Sequence, residues 1–527
     1  MADANWNEAP STNDLRNSYD EIPYTNAPQP YTHISRIAAV GQLRGMMPPS
    51  PARCRVLELG CADGGNLLPM AVRYSESQFV GIDLSPTQVK TGSERARELA
   101  LPNFELRSAD ILELNEQNLE HFDYIIAHGV YSWVPVEVRE RILQICQNHL
   151  TQNGIAYLSY NVYPGWRSKQ ALREILRYHT RNIVDLRKKV EASFELLSIM
   201  PLPDTSPNAP APLLVQQLRE KLEEIEDPAT YLLHEYLIDL NEPFYFTEFL
   251  RQIGTAGLQY VDDVYPGSTS LDRLPPLAQN WAREHLTEYS EQQQYVDFFG
   301  NTAFRRSLIC HDSLVIERKL TMHHMRSLRV MALCQIEPSE DNVRYFKTKS
   351  GRRFTMDHSG LLAVLDRLVA ACPESVPLSE IRDILGDRVS DDQAVEMIEA
   401  LLNGSVIEFT VDDNRCTRTV EERPFASRLV RHQSERGFAS NASHRAVRID
   451  NPFNQQLIPL LDGRSTVPEL ASLLRERLST DKPISDTEWE VLVREQLSRI
   501  ADMGLLEKRT ETQSTSLDYS SSNEFLS

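Results

Sequence analysis

The chain has 527 residues, a formal net charge of −20, and hydrophobic and charged contents of 41% and 25%. This length allows about three or four domains of an ordinary soluble globular protein. The acidic surplus argues against non-specific binding to nucleic acid or to anionic membranes. The sequence contains no run of about eighteen apolar residues that could span a membrane, and its polar start is not a signal peptide. Because the seven cysteines are scattered and form no CxxC pair, we expect reduced thiols and a cytoplasmic location.

Residues 1–50 are predicted to form a lid segment ahead of the main fold. They contain the sequence YDEIPY, which ends at Tyr24, and then Tyr31-Thr-His33. Tyrosine and histidine rings are commonly part-buried, so we expect them to pack rather than to stay in solvent. We predict that Tyr24 and His33 lie nearest a ligand pocket, and simple packing on the surface is the alternative.

Short apolar strands alternate with amphipathic helices over residues 51–200. This alternation predicts an α/β fold with a mainly parallel, Rossmann-like sheet that is covered by helices. In such a sheet, ligands bind at the carboxyl ends of the strands. The predicted strands are Arg55–Leu59, Gln78–Ile82, Phe104–Ser108, Tyr124–Ala127 and Ile155–Tyr160, and the predicted helices between them are Leu67–Arg73, Pro86–Ala100 and Val136–His149.

A loop of small residues joins the first predicted strand to the first helix. Gly60, Ala62 and Gly64 would let a ligand lie against the backbone, and the helix that starts near Asn66 would offer free N–H groups. Glu58 precedes the loop by two residues, and we expect it to face the same crevice. This arrangement suits a nucleoside ligand that carries a positively charged amino acid tail.

Two more acids follow the next two strands. Asp83 ends the second strand, where a carboxylate can accept hydrogen bonds from both hydroxyls of a ribose. Asp110 follows the third strand and is suited to accept from an adenine amino group, with Ile111 packed on the ring. For Asp83 taken alone, a helix N-cap is the alternative interpretation.

A dinucleotide site is the alternative for the whole loop. The loop contains a degenerate GxGxxG motif from Gly60 to Gly65, and Asp83 lies near the spacing expected for a ribose-binding acid. The acids at Glu58 and Asp110 argue against a nicotinamide dinucleotide. The nucleoside interpretation is therefore favoured.

Candidate acceptor-site residues follow the fourth and fifth strands. His128 begins the motif HGVYSW and could line the ligand or act as a base with a pKa near neutrality; a histidine fixed by a backbone hydrogen bond is the alternative. Asn161 could orient a nucleophile or bind the tail of the ligand. Aromatic faces hold ammonium groups and exclude water, although ordinary packing against the helices is also plausible for such rings. The aromatic residues at these two strand ends are Tyr131, Trp133, Tyr163 and Trp166.

A linker and a helical region are predicted next. Pro201–Pro212 is rich in proline and predicts a stiff surface linker. Residues 213–345 look like a mostly helical middle domain, with an irregular stretch near Gly254–Gly267. Cys310-His311 lacks the paired spacing of metal ligands, so no metal site is expected.

The C-terminal third looks like a duplication. Residues 354–415 and 446–509 each run through helices to a glycine and a short apolar strand, which fits winged-helix-like modules. The helix Asp392–Asn403 is acidic, so we expect docking to protein rather than to nucleic acid. Residues 510–527 are rich in serine and threonine and are predicted to be a disordered tail.

These motifs resemble the class I S-adenosylmethionine-dependent methyltransferases, and among them the bacterial proteins with a methyltransferase regulatory domain, which include the rickettsial outer-membrane-protein lysine methyltransferases. The resemblance covers about residues 17–510 and implies S-adenosylmethionine as cofactor. The matching stretches are NSYDEIPY (17–24), the Gly60 loop through Met70, FVGIDLS (79–85), HGVYSWVP (128–135), NVYPGW (161–166) and YVDFF (295–299). The resemblance implies as cofactor-binding residues Glu58, Gly60, Gly64, Asp83, Asp110 and Ile111. The other predicted members of the cofactor site are Tyr24, His33, Ala62, Asn66, Leu84, His128 and Gly129.

Methyl transfer to protein lysine is the function that the resemblance implies. The reaction is an in-line displacement that needs alignment and a deprotonated nucleophile more than an elaborate catalytic group. An aromatic pocket would help, because burial lowers the pKa of an amine. No Asn-Pro-Pro-Tyr or Asp-Pro-Pro-Tyr sequence follows the fourth strand, which argues against methylation of adenine or of a glutamine amide. The sequence leaves open a small-molecule acceptor, a non-catalytic cofactor-binding sensor and a homodimer.

Overall fold

The structure is a computed structural model that describes residues 22, 26–114, 117, 119–202, 210–225, 227–338, 343–348, 351–478 and 485–509. The chain divides into two compact units, of which the first comprises Met1–Asn26 with Val40–Leu320 and the second Ala27–Ala39 with Thr321–Ser527. The predicted lid segment 1–50 is thus shared between the two units. Tyr24 and the predicted tail 510–527 lie outside the described residues.

The first unit contains a seven-stranded sheet in the order β3-β2-β1-β4-β5-β7-β6. Strands β1 to β5 are parallel, whereas β7 is antiparallel to both β5 and β6. The predicted Rossmann-like fold is confirmed. We call the edge of the sheet at which β1 to β5 end the carboxyl edge. The strands are β1 (Arg55–Leu59), β2 (Gln78–Asp83), β3 (Phe104–Ser108), β4 (Phe122–Ala127), β5 (Leu150–Asn161), β6 (Leu258–Asp263) and β7 (Phe304–His311).

Helices cover the sheet, and their starts follow from local sequence. Ser85 caps α3 by accepting a hydrogen bond from the Gln88 N–H at 3.2 Å, and Pro86 occupies the first turn, where its missing N–H costs nothing. The helices up to residue 311 are α1 (Ile34–Leu43), α2 (Leu67–Arg73), α3 (Pro86–Glu98), α4 (Val136–His149), α5 (Trp166–Thr180), α6 (Leu186–Ile199), α7 (Pro210–Glu224), α8 (Pro228–Leu232), α9 (Phe246–Thr255), α10 (Pro276–His285) and α11 (Tyr289–Gly300).

Four strands lie within 213–345, where the sequence predicted a mostly helical segment. β6 lies inside the stretch near Gly254–Gly267 that was predicted to be irregular, β7 follows α11, and two further strands span Arg329–Ala332 and Cys334–Glu337. β6 and β7 both bury charged side chains, so neither shows the apolar pattern of a buried strand. Asp262 and Asp263 of β6 are buried, and Arg44 Nε donates to Asp262 at 2.6 Å. The prediction was wrong here because charged residues in a sequence are expected to be exposed, whereas these residues form ion pairs in the interior.

A buried ion cluster joins β6, β7 and α11. Arg305 of β7 is fully buried and pairs with Asp263 at 3.0 Å and with Asp297 at 2.9 Å. Ser307 Oγ donates to the other oxygen of Asp263 at 2.9 Å. The guanidinium of Arg305 also lies 4.0 Å from the ring centre of Phe246. These contacts fix α11 against the two strands that complete the sheet.

Helices α5 to α8 share a separate hydrophobic core. Leu172 and Leu176 of α5 pack there with Val215 and Leu218 of α7. The predicted linker Pro201–Pro212 ends earlier than expected, because α7 already begins at Pro210. Residues 203–209 of that linker lie outside the described residues.

The second unit holds the two predicted modules. The sheet of the first also includes a strand that precedes the predicted module, β8 (Arg329–Ala332), which β12 (Val376–Pro377) and β13 (Ile407–Thr410) flank as antiparallel neighbours. In the second, the predicted strand at 504–508 contains only an isolated bridge between Cys416 and Glu507. Among the described residues of the chain, no helix is both long and apolar enough to cross a membrane. The elements are α12 (Met322–Met325), β8 (Arg329–Ala332), β9 (Cys334–Glu337), β10 (Tyr345–Thr348), β11 (Arg353–Phe354), α13 (Ser359–Ala371), β12 (Val376–Pro377), α14 (Leu378–Leu385), α15 (Asp391–Asn403), β13 (Ile407–Thr410), α16 (Arg428–Ser434), β14 (Phe438–Ser440), β15 (Ala446–Arg448), α17 (Pro452–Leu457), α18 (Val467–Arg477) and α19 (Asp486–Asp502).

Candidate active site

The loop between β1 and α2 has a backbone that only small residues can follow. Gly60 and Gly64 have φ values of +72° and +70°, which glycine adopts without strain. A Cβ on Gly60 would lie 2.5 Å from Val130 Cγ2, and a Cβ on Gly64 would lie 2.7 Å from Phe104 Cζ. The loop therefore brings bare backbone to the carboxyl edge, where a ligand can approach it closely.

Glu58 is buried at the end of β1 with half of its carboxylate unsatisfied. Oε1 accepts a hydrogen bond from Asn66 Nδ2 at 2.7 Å, while buried Oε2 has no hydrogen-bond partner among the described residues. Burial, followed by the negative charges of Asp83 and Asp63, raises the pKa of Glu58 to about 8, although the bond from Asn66 opposes this shift. A buried oxygen of this kind fits a cationic group supplied by a ligand. The arrangement matches an ammonium group better than the hydroxyls of a dinucleotide.

Asp83 organises the glycine loop from the end of β2. Its Oδ2 accepts from the Ala62 N–H at 2.7 Å and its Oδ1 accepts from the Ser85 N–H at 2.9 Å. Ser85, not Asp83, caps α3, so the N-cap alternative is wrong. The side chain is half-buried, and each carboxylate oxygen has a second lone pair for a ligand. Leu84 is also half-buried beside it.

Asp110 and Ile111 lie just beyond the end of β3. Asp110 Oδ1 accepts from the Leu112 N–H at 2.9 Å and so begins a short 3-10 helix, Ile111–Glu113. Ile111 is half-buried and packs against the main core. Both side chains retain exposed surface at the carboxyl edge, and the role predicted for them remains a prediction.

Asn26 is a loop-binding residue that the sequence analysis missed. Its Nδ2 donates to the Cys61 carbonyl at 2.7 Å, and a Cβ on Gly65 would lie 2.5 Å from its carbonyl oxygen. The signal available was its position two residues after the YDEIPY motif. His33, by contrast, packs in the second unit, with its ring centre 5.1 Å from that of His444. The proximity predicted for Tyr24 and His33 to the cofactor remains a prediction.

His128 follows β4 and is held by hydroxyl groups. Its Nδ1 lies 2.9 Å from Tyr157 Oη and 3.2 Å from Ser159 Oγ, and Ser159 also accepts from the Gly129 N–H at 2.8 Å. Removal from water, followed by the positive charge of Arg306, lowers the pKa of His128 to about 3. The low pKa contradicts the interpretation of His128 as a base with a pKa near neutrality. The alternative is corrected as well, because these partners of Nδ1 are side-chain hydroxyl groups rather than a backbone group.

Tyr131 belongs to the core rather than to an acceptor pocket. It is fully buried, its hydroxyl donates to Gln252 Oε1 at 2.8 Å, and its ring packs between those of Phe244 and Phe249 at 5.8 Å each. The alternative of ordinary packing therefore describes Tyr131. Its neighbour Gly129, with φ +68°, has nothing within 4 Å of a Cβ position, so space is open beside His128 instead.

Trp133 and Trp166, the first residue of α5, form a buried pair. Their rings meet edge to face with centres 6.0 Å apart. Lys169 Nζ lies 4.6 Å from the ring centre of Trp166 and Arg173 lies 5.7 Å from that of Trp133. Desolvation lowers the pKa of Lys169, and the charge of Glu235 opposes the shift. Both rings are already occupied by cations of this chain, which argues against their predicted contact with an acceptor amine.

Asn161 and Tyr163 sit at the end of β5. Asn161 Nδ2 donates to Asn241 Oδ1 at 2.8 Å, and the Asn161 N–H donates to Ser132 Oγ at 2.9 Å, which ties the ends of β4 and β5 together. Tyr163 is half-buried, with its ring centre 5.3 Å from that of Tyr245. Tyr163 is the only one of the four predicted aromatic residues that is not buried, but its ring also contacts a cation of this chain, the Arg167 guanidinium at 4.3 Å.

The start of β7 adds two residues to this edge that sequence reasoning did not find. Phe304 pairs with Asn161 in the β5–β7 register, and its ring centre lies 6.4 Å from that of His128. Arg306 stacks on Phe304 at 4.9 Å. These residues come from the middle segment of the chain, so a search confined to the strands of 51–200 could not reach them.

Comparison with known proteins identifies three regions. Residues 51–222 match the family described as "Methyltransferase domain", residues 228–311 match "Predicted methyltransferase regulatory domain", and residues 422–503 match "PKMT, C-terminal winged helix domain". The third match covers much of the second predicted module. The middle segment, with β6 and β7, corresponds to the regulatory region.

Two uncharacterized proteins of Rickettsia prowazekii are similar in sequence. One is 28% identical over 85% of this chain and 84% of its own length. The other is 37% identical over 45% of this chain and 93% of its own length.

Among solved structures, PKMT2 from Rickettsia typhi superposes with a TM-score of 0.77 at 23% identity, covering 92% of this chain and 100% of that chain, and it has also been solved in complex with AdoHcy. The chain belongs to the class I S-adenosylmethionine-dependent methyltransferases, in the family with a methyltransferase regulatory domain and a PKMT winged helix domain.

Proposed function

We propose that the protein methylates lysine side chains of other proteins. The match of residues 422–503 to a PKMT winged helix domain carries this proposal, and the fold likeness to PKMT2 of Rickettsia typhi supports it. The geometry of the carboxyl edge agrees, because Tyr163 is only partly buried there, with its ring in contact with Tyr245 and Arg167. An exposed edge suits a side chain that is still attached to a polypeptide.

The chain's own residues would hold S-adenosylmethionine through three contacts. Glu58 would pair with the ammonium group, Asp83 would accept from the ribose hydroxyls, and Asp110 would accept from the adenine amino group while Ile111 packs on the ring. The bound cofactor supplies an electrophilic methyl group on a sulfonium. The protein's part is then to align the acceptor and to keep water away.

The acceptor amine must arrive without its proton, and His128, the predicted base at this edge, is a poor proton acceptor. His128 stays neutral and is hydrogen-bonded through Nδ1 to hydroxyl groups, and its low pKa makes it a poor base at neutral pH. Desolvation against the aromatic rings near Tyr163 and Phe304 would lower the pKa of the amine instead. Catalysis then depends mainly on the positioning of the acceptor amine and on the exclusion of water.

A transfer assay tests the proposal directly. Purified protein and methyl-labelled S-adenosylmethionine are incubated with a bacterial extract that has been separated into proteins and small molecules. We expect label in discrete protein bands, and methylated lysine after hydrolysis. Label confined to the small-molecule fraction would contradict the lysine proposal, and the Asp83→Ala variant provides the background for both fractions.

Binding of S-adenosylmethionine should release a proton from Glu58. With its pKa raised to about 8, the empty site holds Glu58 mostly protonated at pH 7, whereas a cationic ligand favours the ionised form. Titration calorimetry at pH 7 in phosphate and in Tris, whose ionisation enthalpies differ, measures this release. The wild type should release a substantial fraction of one proton, and Glu58→Gln, which cannot titrate, should release none from this position. Equal proton release by the two proteins would remove Glu58 from the ammonium site.

A further inference from the structure

A row of aromatic rings leads away from the end of β5 across the regulatory region. We call it the aromatic track, and it consists of Tyr163, Tyr245, Phe298, Tyr295 and Trp281. Successive ring centres along it are 5.3, 6.0, 5.5 and 5.2 Å apart. Its first ring belongs to the carboxyl edge, and its last ring lies on α10.

The far part of the track is unusually exposed for aromatic residues. Trp281 is 39% exposed, Phe298 is 43% exposed, and neighbouring Phe299 is 48% exposed. Phe299 also contacts the track, with its ring centre 5.9 Å from that of Tyr295. Single exposed apolar residues are common, but adjoining exposed aromatic rings on two helices mark an interaction surface.

A cavity of about 290 Å³ adjoins the track at Phe299. Its wall includes Phe304, which faces His128, and the guanidinium-bearing residues Arg273 and Arg306. Arg273 is exposed and forms no ion pair within the described part of the chain; its Nη1 donates only to the Ser268 carbonyl, at 3.3 Å. The cavity thus combines aromatic walls with positive charge at the side of the reaction centre.

The one acid that lines this cavity is already neutralised. Both oxygens of Asp263 accept hydrogen bonds, one from Arg305 at 3.0 Å and the other from Ser307 at 2.9 Å. Arg305 in turn is shared with Asp297 at 2.9 Å. Arg273 adds a positive charge that no ion pair within the described part of the chain neutralises, in a chain whose net charge is −20. The side chain of aspartate or glutamate, a carboxylate on one or two methylene groups, therefore fits the cavity.

We propose that the aromatic track and this cavity together bind the polypeptide segment that flanks the acceptor lysine, with an acidic side chain of that segment in the cavity. This inference rests on the proposed methylation of protein lysine. An extended peptide rises about 3.3 Å per residue, so at most about seven residues cover the track from Tyr163 to Trp281. The aromatic rings contact the apolar parts of the segment, and the exposed guanidinium of Arg273 pairs with its acidic side chain.

The continuity of the track with the carboxyl edge favours the acceptor over other occupants. A surface for a second copy of the chain need not lead to the reacting group, whereas this one begins beside Asn161 and Phe304. Positive charge next to the rings also fits an acidic segment better than another copy of the same aromatic face.

Kinetics with a peptide library tests this binding surface. The library has a central lysine and a single glutamate, glutamine or phenylalanine at each flanking position, and methyl incorporation is measured with the full-length protein. We expect the wild type to prefer glutamate at one flanking position by at least tenfold over glutamine. Arg273→Glu should abolish that preference, so that glutamate is methylated no better than glutamine at the same flanking position. A Trp281→Ala/Phe299→Ala double variant should raise KM for library peptides at least tenfold, with kcat and S-adenosylmethionine affinity unchanged.

Tyr178→Ala provides the matched control, because Tyr178 is an aromatic residue that is 58% exposed on α5 and outside the track. It should leave all peptide KM values unchanged. If the wild type methylates lysine but the track variants retain wild-type KM and flank preference, the docking inference is overturned and the proposed function stands. If the track variants instead convert a dimer to a monomer in sedimentation without changing KM, the surface is a self-association face and the inference is again overturned. If the wild type labels no lysine in peptide or protein, the proposed function itself fails.

Discussion

An Asp83→Ala variant should fold normally and bind S-adenosylmethionine at least a hundredfold more weakly than the wild type. The substitution removes the acceptor for the Ala62 N–H at 2.7 Å and for the Ser85 N–H at 2.9 Å, so the glycine loop loses its anchor. It also removes the carboxylate proposed to accept from the ribose. Hydrogen bonds to a charged group contribute about 1.5–3 kcal/mol each, and about 1.4 kcal/mol corresponds to tenfold in affinity.

Equilibrium dialysis with labelled S-adenosylmethionine measures this loss, and circular dichroism checks that the variant is folded. Asp185→Ala is the matched control, because Asp185 also accepts a backbone N–H, from Lys188 at 2.9 Å, but at the start of α6. Asp185→Ala should lower the free energy of unfolding by about 1 kcal/mol, because α6 loses its N-cap, and should leave the affinity for S-adenosylmethionine unchanged. Wild-type affinity in folded Asp83→Ala would refute the ribose assignment.

Arg305→Ala should lower the free energy of unfolding by about 3–5 kcal/mol, the usual effect of removing one partner from a buried ion pair. The substitution leaves Asp263 and Asp297 buried without their shared cation. Denaturation by urea, followed by circular dichroism, measures the effect. β7 lies between β5 and β6 in the sheet, and the ends of β5 and β7 carry residues of the candidate active site. Loss of the ion cluster should therefore lower the rate of methyl transfer as well as the stability.

Arg283→Ala is the control for Arg305→Ala. Arg283 pairs with Asp272, but both side chains are about half exposed, so its loss should change stability by no more than about 1 kcal/mol. Adding Asp263→Asn and Asp297→Asn to Arg305→Met should recover part of the lost stability, since no uncompensated charge then remains buried. A cost for Arg305→Ala as small as that for Arg283→Ala would show that the cluster does not hold β6 and β7 in place.

Local sequence was sufficient to predict the cofactor-binding half of the fold. β1, β2, β4 and β5 contain runs of buried apolar residues, and the loop at Gly60 and Gly64 needs small residues for reasons of backbone geometry, so both features are visible without knowledge of distant contacts. The positions of the Glu58 and Asp83 carboxylates could also be predicted, because the strands of a parallel sheet end at the same edge.

Distant contacts account for what the sequence did not reveal. Tyr131 looks like a candidate for an acceptor pocket until Phe244 and Phe249, far along the chain, are seen to enclose it. β6 and β7 look unlike buried strands because the charges of Asp263 and Arg305 neutralise each other across the sheet. In both cases the environment of a residue depends on a partner that its local sequence does not specify.

The position of β7 has a consequence for how the protein is made. β5 pairs with β7 over six residues, from Ala156↔Ile309 to Asn161↔Phe304, so one side of β5 has no strand beside it until residues 304–311 have left the ribosome. An unpaired strand edge is a template for aggregation. Synthesis of the intervening segment 162–303 therefore coincides with a period in which the nascent chain is vulnerable to misassociation. A fragment that stops at residue 222, where the methyltransferase-domain match ends, would retain that open edge permanently, which makes residue 311 the earliest sensible end for a shortened version of the enzyme.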